Sequence, residues 1–169
     1  MSQKRKDNLV GTVELEKDTG RKMVQVYFQE CNSAVLTPVD FRLDSGADIT
    51  TIGKKDLNLL GYSMEWIEAN KKEAPDINIS LADGSVRNGV YVEIPMVYFM
   101  EKDFYNFRVF IVPEDGLDYT NLLGLDVSTE FTYLTENETG VLEFYRIAYS
   151  KFKSSSYSSR QKVGEINKN

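Results

Sequence analysis

One-by-one alternation of apolar and polar residues recurs in short stretches of this chain, and turn-forming residues interrupt it each time. That pattern fits half-buried strands and leaves little sequence for long helices. Val24, Val26 and Phe28 share one parity; Val35, Thr37, Val39, Phe41 and Leu43 share another after a connection holding Asn32 and Ser33. The two runs predict a hairpin. Ile77, Ile79 and Leu81 alternate, stop at Asp83-Gly84, and give way to Val90, Val92 and Ile94, which predicts a second hairpin turning at Asp83-Gly84. Phe107, Val109 and Ile111 form another strand closed by Pro113 and Gly116, and the run from Val141 to Ile147 is the last.

Helical signals are brief. The stretch 54–60 predicts a short helix that Gly61 ends, and residues 64–75 have room for one further turn before Pro75. Asp126 stands where the N-cap of another short helix is expected. The fold class is therefore mainly β with one or two short helices.

At 169 residues the chain is long enough for one domain with a real core, and 41% hydrophobic residues suit a folded one. Its formal net charge is −6, which argues against nucleic acid as the main partner. The charge is uneven: from Ser150 onward, Lys151, Lys153, Arg160, Lys162 and Lys168 face only Glu165, so the tail carries +4 and the rest −10. We expect an N-terminal extension over 1–20, a folded domain over 21–149 and a flexible basic tail over 150–169. No apolar run approaches a membrane span, and the N-terminus has charge without an apolar segment behind it, so a cytoplasmic location is expected.

The chain has no histidine and one cysteine, Cys31. Ser-His-Asp, Cys-His and His-ligated zinc chemistry are thereby excluded for this chain alone, and so is an internal disulfide. Carboxylates, Lys, Tyr or Cys31 must carry any catalysis. Glu114, Asp115 and Asp118 cluster in one loop, but their spacing does not fit an EF-hand. The sequons at Asn78 and Asn137 carry no weight without a secretion signal.

The second strand of the first hairpin runs straight into Asp44-Ser45-Gly46-Ala47-Asp48. Asp-Ser-Gly alone is most often a turn. Here the apolar strand before it and the β-branched Ile49-Thr50-Thr51-Ile52 after it set it apart. Parity puts Asp44 opposite the apolar face, and Gly46 and Ala47 remove bulk beside its carboxylate.

Leu43, Asp44, Ser45, Gly46, Ala47, Asp48, Thr50 and Ile52 fill the pattern of the active-site loop of retropepsin-like aspartic proteases, which this stretch resembles. Downstream, Leu122-Leu123-Gly124 followed by Asp126 resembles that family's second motif, and residues 77–97 look like its flap. The resemblance covers roughly Val24 to Tyr145. Leu125 stands where many viral members carry Arg; cellular members that resemble the DNA-damage-inducible shuttle proteins also read Gly-Leu-Asp.

The resemblance implies a closed β-barrel of the acid-protease type and an aspartic endopeptidase with Asp44 as its catalytic residue. In that reading Ser45 reaches across a dimer axis. Gly46, Ala47 and Asp48 line the substrate backbone, and Ala82, Asp83 and Gly84 cover it from the flap.

The chemistry can also be argued without the family. Hydrolysing a peptide bond with carboxylates needs one to take a proton from water while another gives one. Two carboxylates in contact share a proton and so present one acid and one base. This chain has one such motif, so a homodimer that pairs Asp44 with its copy is expected, acting on a polypeptide without cofactor or metal. The alternative is an inactive dimerisation or peptide-binding module on the same fold.

Overall fold

The computed structural model describes residues 8–15, 19, 21–80, 86–112, 121–136 and 140–147. In chain order the elements are β1 (Leu9–Glu14), β2 (Met23–Gln29), β3 (Leu36–Leu43), β4 (Thr51–Gly53), α1 (Lys54–Leu59), α2 (Met64–Asn70) and β5 (Lys72–Ser80). They are followed by β6 (Val86–Phe99), β7 (Lys102–Val112), β8 (Leu122–Leu123), α3 (Leu125–Ser128), β9 (Phe131–Glu136) and β10 (Val141–Arg146).

The first hairpin is as expected. β2 and β3 pair antiparallel with Val24 opposite Phe41 and Val26 opposite Val39, and these residues and Phe28 are buried while their neighbours face out. Val35 departs from the expectation: it is exposed and precedes the strand. Its carbonyl accepts from Glu30 N–H, which closes a connection that Asn32 turns at φ 57°.

Seven strands form one sheet in the order β2-β3-β8-β4-β7-β6-β5, and β2 also pairs with β6 through Tyr27↔Tyr98 and Phe28↔Val97. β8 runs parallel to β3 and β4 parallel to β7, so the ends of β3 and β8 lie side by side. A second sheet of three strands has the order β1-β10-β9. Leu9–Glu14, expected to lie in an extension outside the domain, is thus a strand paired with β10. Phe131 and Phe144 of this sheet pack edge-on against Phe99 of β6, at 5.5 and 5.4 Å between ring centroids, and tie the two sheets into one core.

The described residues hold three short helices where one or two were expected. In α1, Leu57 is buried, and Gly61 behind it takes φ +84°, a left-handed value that favours glycine. Residues 64–70 form a full helix because Ser63 caps it, its hydroxyl accepting from Trp66 N–H at 3.2 Å. The chain then enters β5, and Pro75 is tolerated there because β5 is an edge strand whose register with β6 breaks between Ala74 and Asn78. No helix among the described residues is long and apolar enough to cross a membrane.

Candidate functional site

β3 ends at Leu43, and Asp44 opens the loop that follows. Its backbone N–H donates to Leu123 C=O of β8 at 3.1 Å, and its C=O accepts from Ala47 N–H at 3.2 Å. The strand end and a tight turn therefore fix the Asp44 backbone on both sides. Its carboxylate is held as well: Oδ1 accepts from Gly46 N–H at 2.9 Å, and Oδ2 accepts from Arg42 Nη2 at 3.0 Å. Arg42 and Asp44 lie two residues apart, on the same side of the chain. Both are partly exposed, so solvent screens the pair.

The loop rests on the start of α3. Leu125 N–H donates to Ala47 C=O and Asp126 N–H to Asp48 C=O. Thr50, fully buried, donates its N–H to Asp126 Oδ2 and its hydroxyl to Asp126 Oδ1, and accepts from Gly124 N–H. Asp126 was expected to cap the helix. Gly124 occupies the N-cap position, and Asp126 sits within the first turn, tying the helix to the loop. Part of the Asp126 surface is exposed, yet its carboxylate faces inward onto Thr50. Burial of that carboxylate pushes its pKa up, and the Thr50 hydrogen bonds oppose the shift.

At Gly124 the two segments approach closely. A Cβ there would lie 2.4 Å from Ile49 C and 2.6 Å from Ile49 O, both backbone atoms that cannot swing aside. Behind the loop, buried Asn121 ties four segments together. Its Oδ1 accepts from Gly53 N–H, and its Nδ2 donates to Asp40 C=O and to Asp56 Oδ2.

A cleft of about 670 Å³ opens in front of Asp44. One wall is the loop, with Gly46, Ala47, Asp48, Ile49 and Thr51; the other is β5, with Asp76, Ile77, Asn78 and Ile79. The register break in β5 accounts for consecutive residues reaching the same cleft. Of the residues expected from sequence, Asp44, Gly46, Ala47 and Asp48 come together here. Ser45 is exposed at the turn and does not line the cleft. Ala82, Asp83 and Gly84 lie outside the described residues, as do the acidic loop at 114–118 and the tail from Ser150. Among the described residues no group of three or more His, Cys, Asp or Glu is placed to hold a metal ion.

Sequence reasoning missed the Arg42 contact, the Thr50–Asp126 tie and Asn121. Alternation does place Arg42 and Asp44 on one side, so that contact had a signal. The other two join segments far apart in the chain and had none.

No protein-family model matches the chain, and no curated protein matches it in sequence. Among solved structures it is similar to a retropepsin-like aspartic protease from Rickettsia conorii, with a TM-score of 0.54 and 16% identity. The match covers 79% of this chain and 90% of that one. At that identity the likeness is one of fold.

Proposed function

We propose that this protein is an aspartic endopeptidase. Water, activated between Asp44 and its copy in a second chain, adds to the carbonyl carbon of a bound peptide. One carboxylate takes the water proton, and the other protonates the carbonyl oxygen. Collapse of the adduct breaks the C–N bond, and a proton passed to nitrogen releases the amine and the new acid. The shared proton belongs to the pair, and its titration is a property of the dyad.

The observation that carries this reading is the placing of Asp44: it directly follows the half-buried strand β3, held by Gly46 N–H, at the floor of a cleft whose other wall is an edge strand. An extended polypeptide fits between such walls. The similarity in fold to a retropepsin-like aspartic protease supports it. The β2–β6 pairing supports a closed barrel, because hydrogen-bonded neighbours then run β2-β3-β8-β4-β7-β6 and return to β2. In this proposal Ser45, exposed at the loop tip, meets its copy across the dimer axis, and the β5–β6 hairpin acts as the flap.

A second reading, an inactive peptide-binding or dimerisation module, is favoured by the Arg42 guanidinium on Asp44 Oδ2, which occupies an oxygen the dyad needs. Incubation of the wild type and Asp44→Asn with a diverse peptide mixture from acid to neutral pH separates the two. Endopeptidase action predicts new termini with the wild type alone. No cleavage by the wild type, or equal cleavage by both, sinks the proposal.

A further inference from the structure

Arg42 brings a positive charge to a site that is otherwise acidic. It lies two residues after Asp40 and two before Asp44, so alternation puts all three on one side of the chain. The ion pair is made to Asp44, through Nη2 and Oδ2 at 3.0 Å. Across the sheet the neighbours of Arg42 are uncharged: Met23 on β2 and Leu122 on β8. Lys22 precedes β2, and its C=O accepts from Leu43 N–H. Asp126 on α3 turns its carboxylate onto Thr50. The cleft adds Asp48 from the loop and Asp76 from β5, and among the described residues no Lys or Arg lines it.

That charge balance bears on assembly. Two carboxylates pressed together repel once both are ionised, so an unaided pair takes up one proton as two chains meet. Such a dimer weakens as pH rises, because the joined chains hold a proton that the separate chains have released. Asp48 and Asp76 add negative charge and sharpen the penalty. A guanidinium on each carboxylate removes it: two cations then face two anions, and no proton is required.

We propose that Arg42 is the counter-ion that lets two copies of this chain assemble around Asp44 with both carboxylates charged. The proposal rests on the shared-dyad reading above, and it separates assembly from turnover. Assembly proceeds at neutral pH with an Arg42 on Oδ2 of each Asp44. Turnover needs one shared proton and that oxygen free for water, so acid from the solvent protonates the pair and loosens the hold of the guanidinium. Arg42 then swings out at small cost, since its side chain is 38% exposed and the contact is a single hydrogen bond. The dimer stands ready at neutral pH and is switched on by acid.

The test is sedimentation of the full chain across pH. Arg42→Met keeps a similar stem and removes the charge. Its dimer should match that of the wild type near about pH 5 and weaken about tenfold for each pH unit above, which corresponds to one proton taken up per dimer. The wild-type dimer should change by less than about twofold per unit. Arg42→Lys should restore the shallow profile, because a point charge is enough for a single contact. Arg42→Gln serves if the methionine variant does not fold. In Asp44→Asn no pair of carboxylates forms, so adding Arg42→Met there should leave the dimer constant alone. Parallel pH profiles for the wild type and Arg42→Met overturn the proposal. So does an equal effect of Arg42→Met in the Asp44→Asn background, or a chain that stays monomeric at every pH. Cleavage tests the hydrolysis reading separately: a dimer whose proton uptake depends on Arg42 but that cuts no peptide keeps the counter-ion role and loses the protease.

Discussion

Thr50 and Asp126 stand 76 positions apart, and both the amide and the hydroxyl of Thr50 donate to the Asp126 carboxylate, at 2.9 and 2.7 Å. This contact clamps the Asp44 loop onto α3. Asp126→Ala leaves a buried amide and hydroxyl without their acceptor and should cost about 2–4 kcal/mol of stability. Denaturant unfolding checks it; a loss under about 0.5 kcal/mol means that the clamp is dispensable.

The same carboxylate gives a pH dependence. Burial raises the pKa of folded Asp126 above its unfolded value. Between the two values the unfolded chain has released this proton and the folded chain keeps it. The stabilising contribution is therefore complete below the unfolded pKa and is lost as pH rises through the folded one. Asp126→Asn cannot titrate, so the wild type should lose stability relative to it across that window and run parallel above. Urea midpoints of both proteins from about pH 3 to about pH 7 decide this, and a constant difference throughout contradicts it.

Gly124→Ala tests the close approach. The added methyl would meet the Ile49 backbone at 2.4 Å, so α3 and the loop must separate. A cost of about 3 kcal/mol or more is expected. Gly46→Ala serves as the contrast, because its Cβ would meet only Asp44 Oδ1, at 3.2 Å. It should be much milder for folding and, on the proposed protease reading, should act on cleavage by disturbing the Asp44 carboxylate. Thermal unfolding of the two variants showing equal losses counts against this account.

How much was legible beforehand depended on where each determinant lies in the chain. The β2–β3 hairpin and the Asp44 loop could be read because alternation and turn chemistry are local, and the same holds for α1 with Gly61 behind it. β1 escaped notice because Gly11 interrupts its alternation, at the point where its register with β10 shifts. The β6–β7 turn escaped for another reason. Met100 and Glu101 both take positive φ, at 47° and 61°, in a two-residue connection that sequence rules assign to Asn and Gly. Here long strands on both sides hold the turn in place. In the site, Asp44, Gly46, Ala47 and Asp48 were legible as one local motif, whereas the β5 wall depends on a register break around Pro75.

The Arg42–Asp44 ion pair should matter little to folding. Both side chains are partly exposed, and screened pairs of this kind contribute about 0–1 kcal/mol. Arg42→Ala is expected to shift stability by less than about 1 kcal/mol, with the difference shrinking as salt is raised. If the protein is the proposed protease, cleavage should respond more strongly, since the guanidinium occupies an Asp44 oxygen that the proposed dyad uses. A large stability loss with unaltered cleavage reverses that assignment.

The stoichiometry of the proposed active site can be read by mixing chains. If two copies of Asp44 form one site, a dimer containing a single Asp44→Asn chain is inactive. With chains free to exchange at fixed wild-type concentration, an equal amount of Asp44→Asn leaves about half of the wild-type chains paired with each other. A ninefold excess leaves about one tenth. Activity should fall in the same proportions, whereas a site complete within one chain predicts no change at either ratio. Because Asp44→Asn alters a partly exposed carboxylate, it should pair as the wild type does, and sedimentation of the variant alone verifies that. Activity that holds steady while mixed dimers form removes the shared dyad and leaves the Asp44 of each chain to be explained separately.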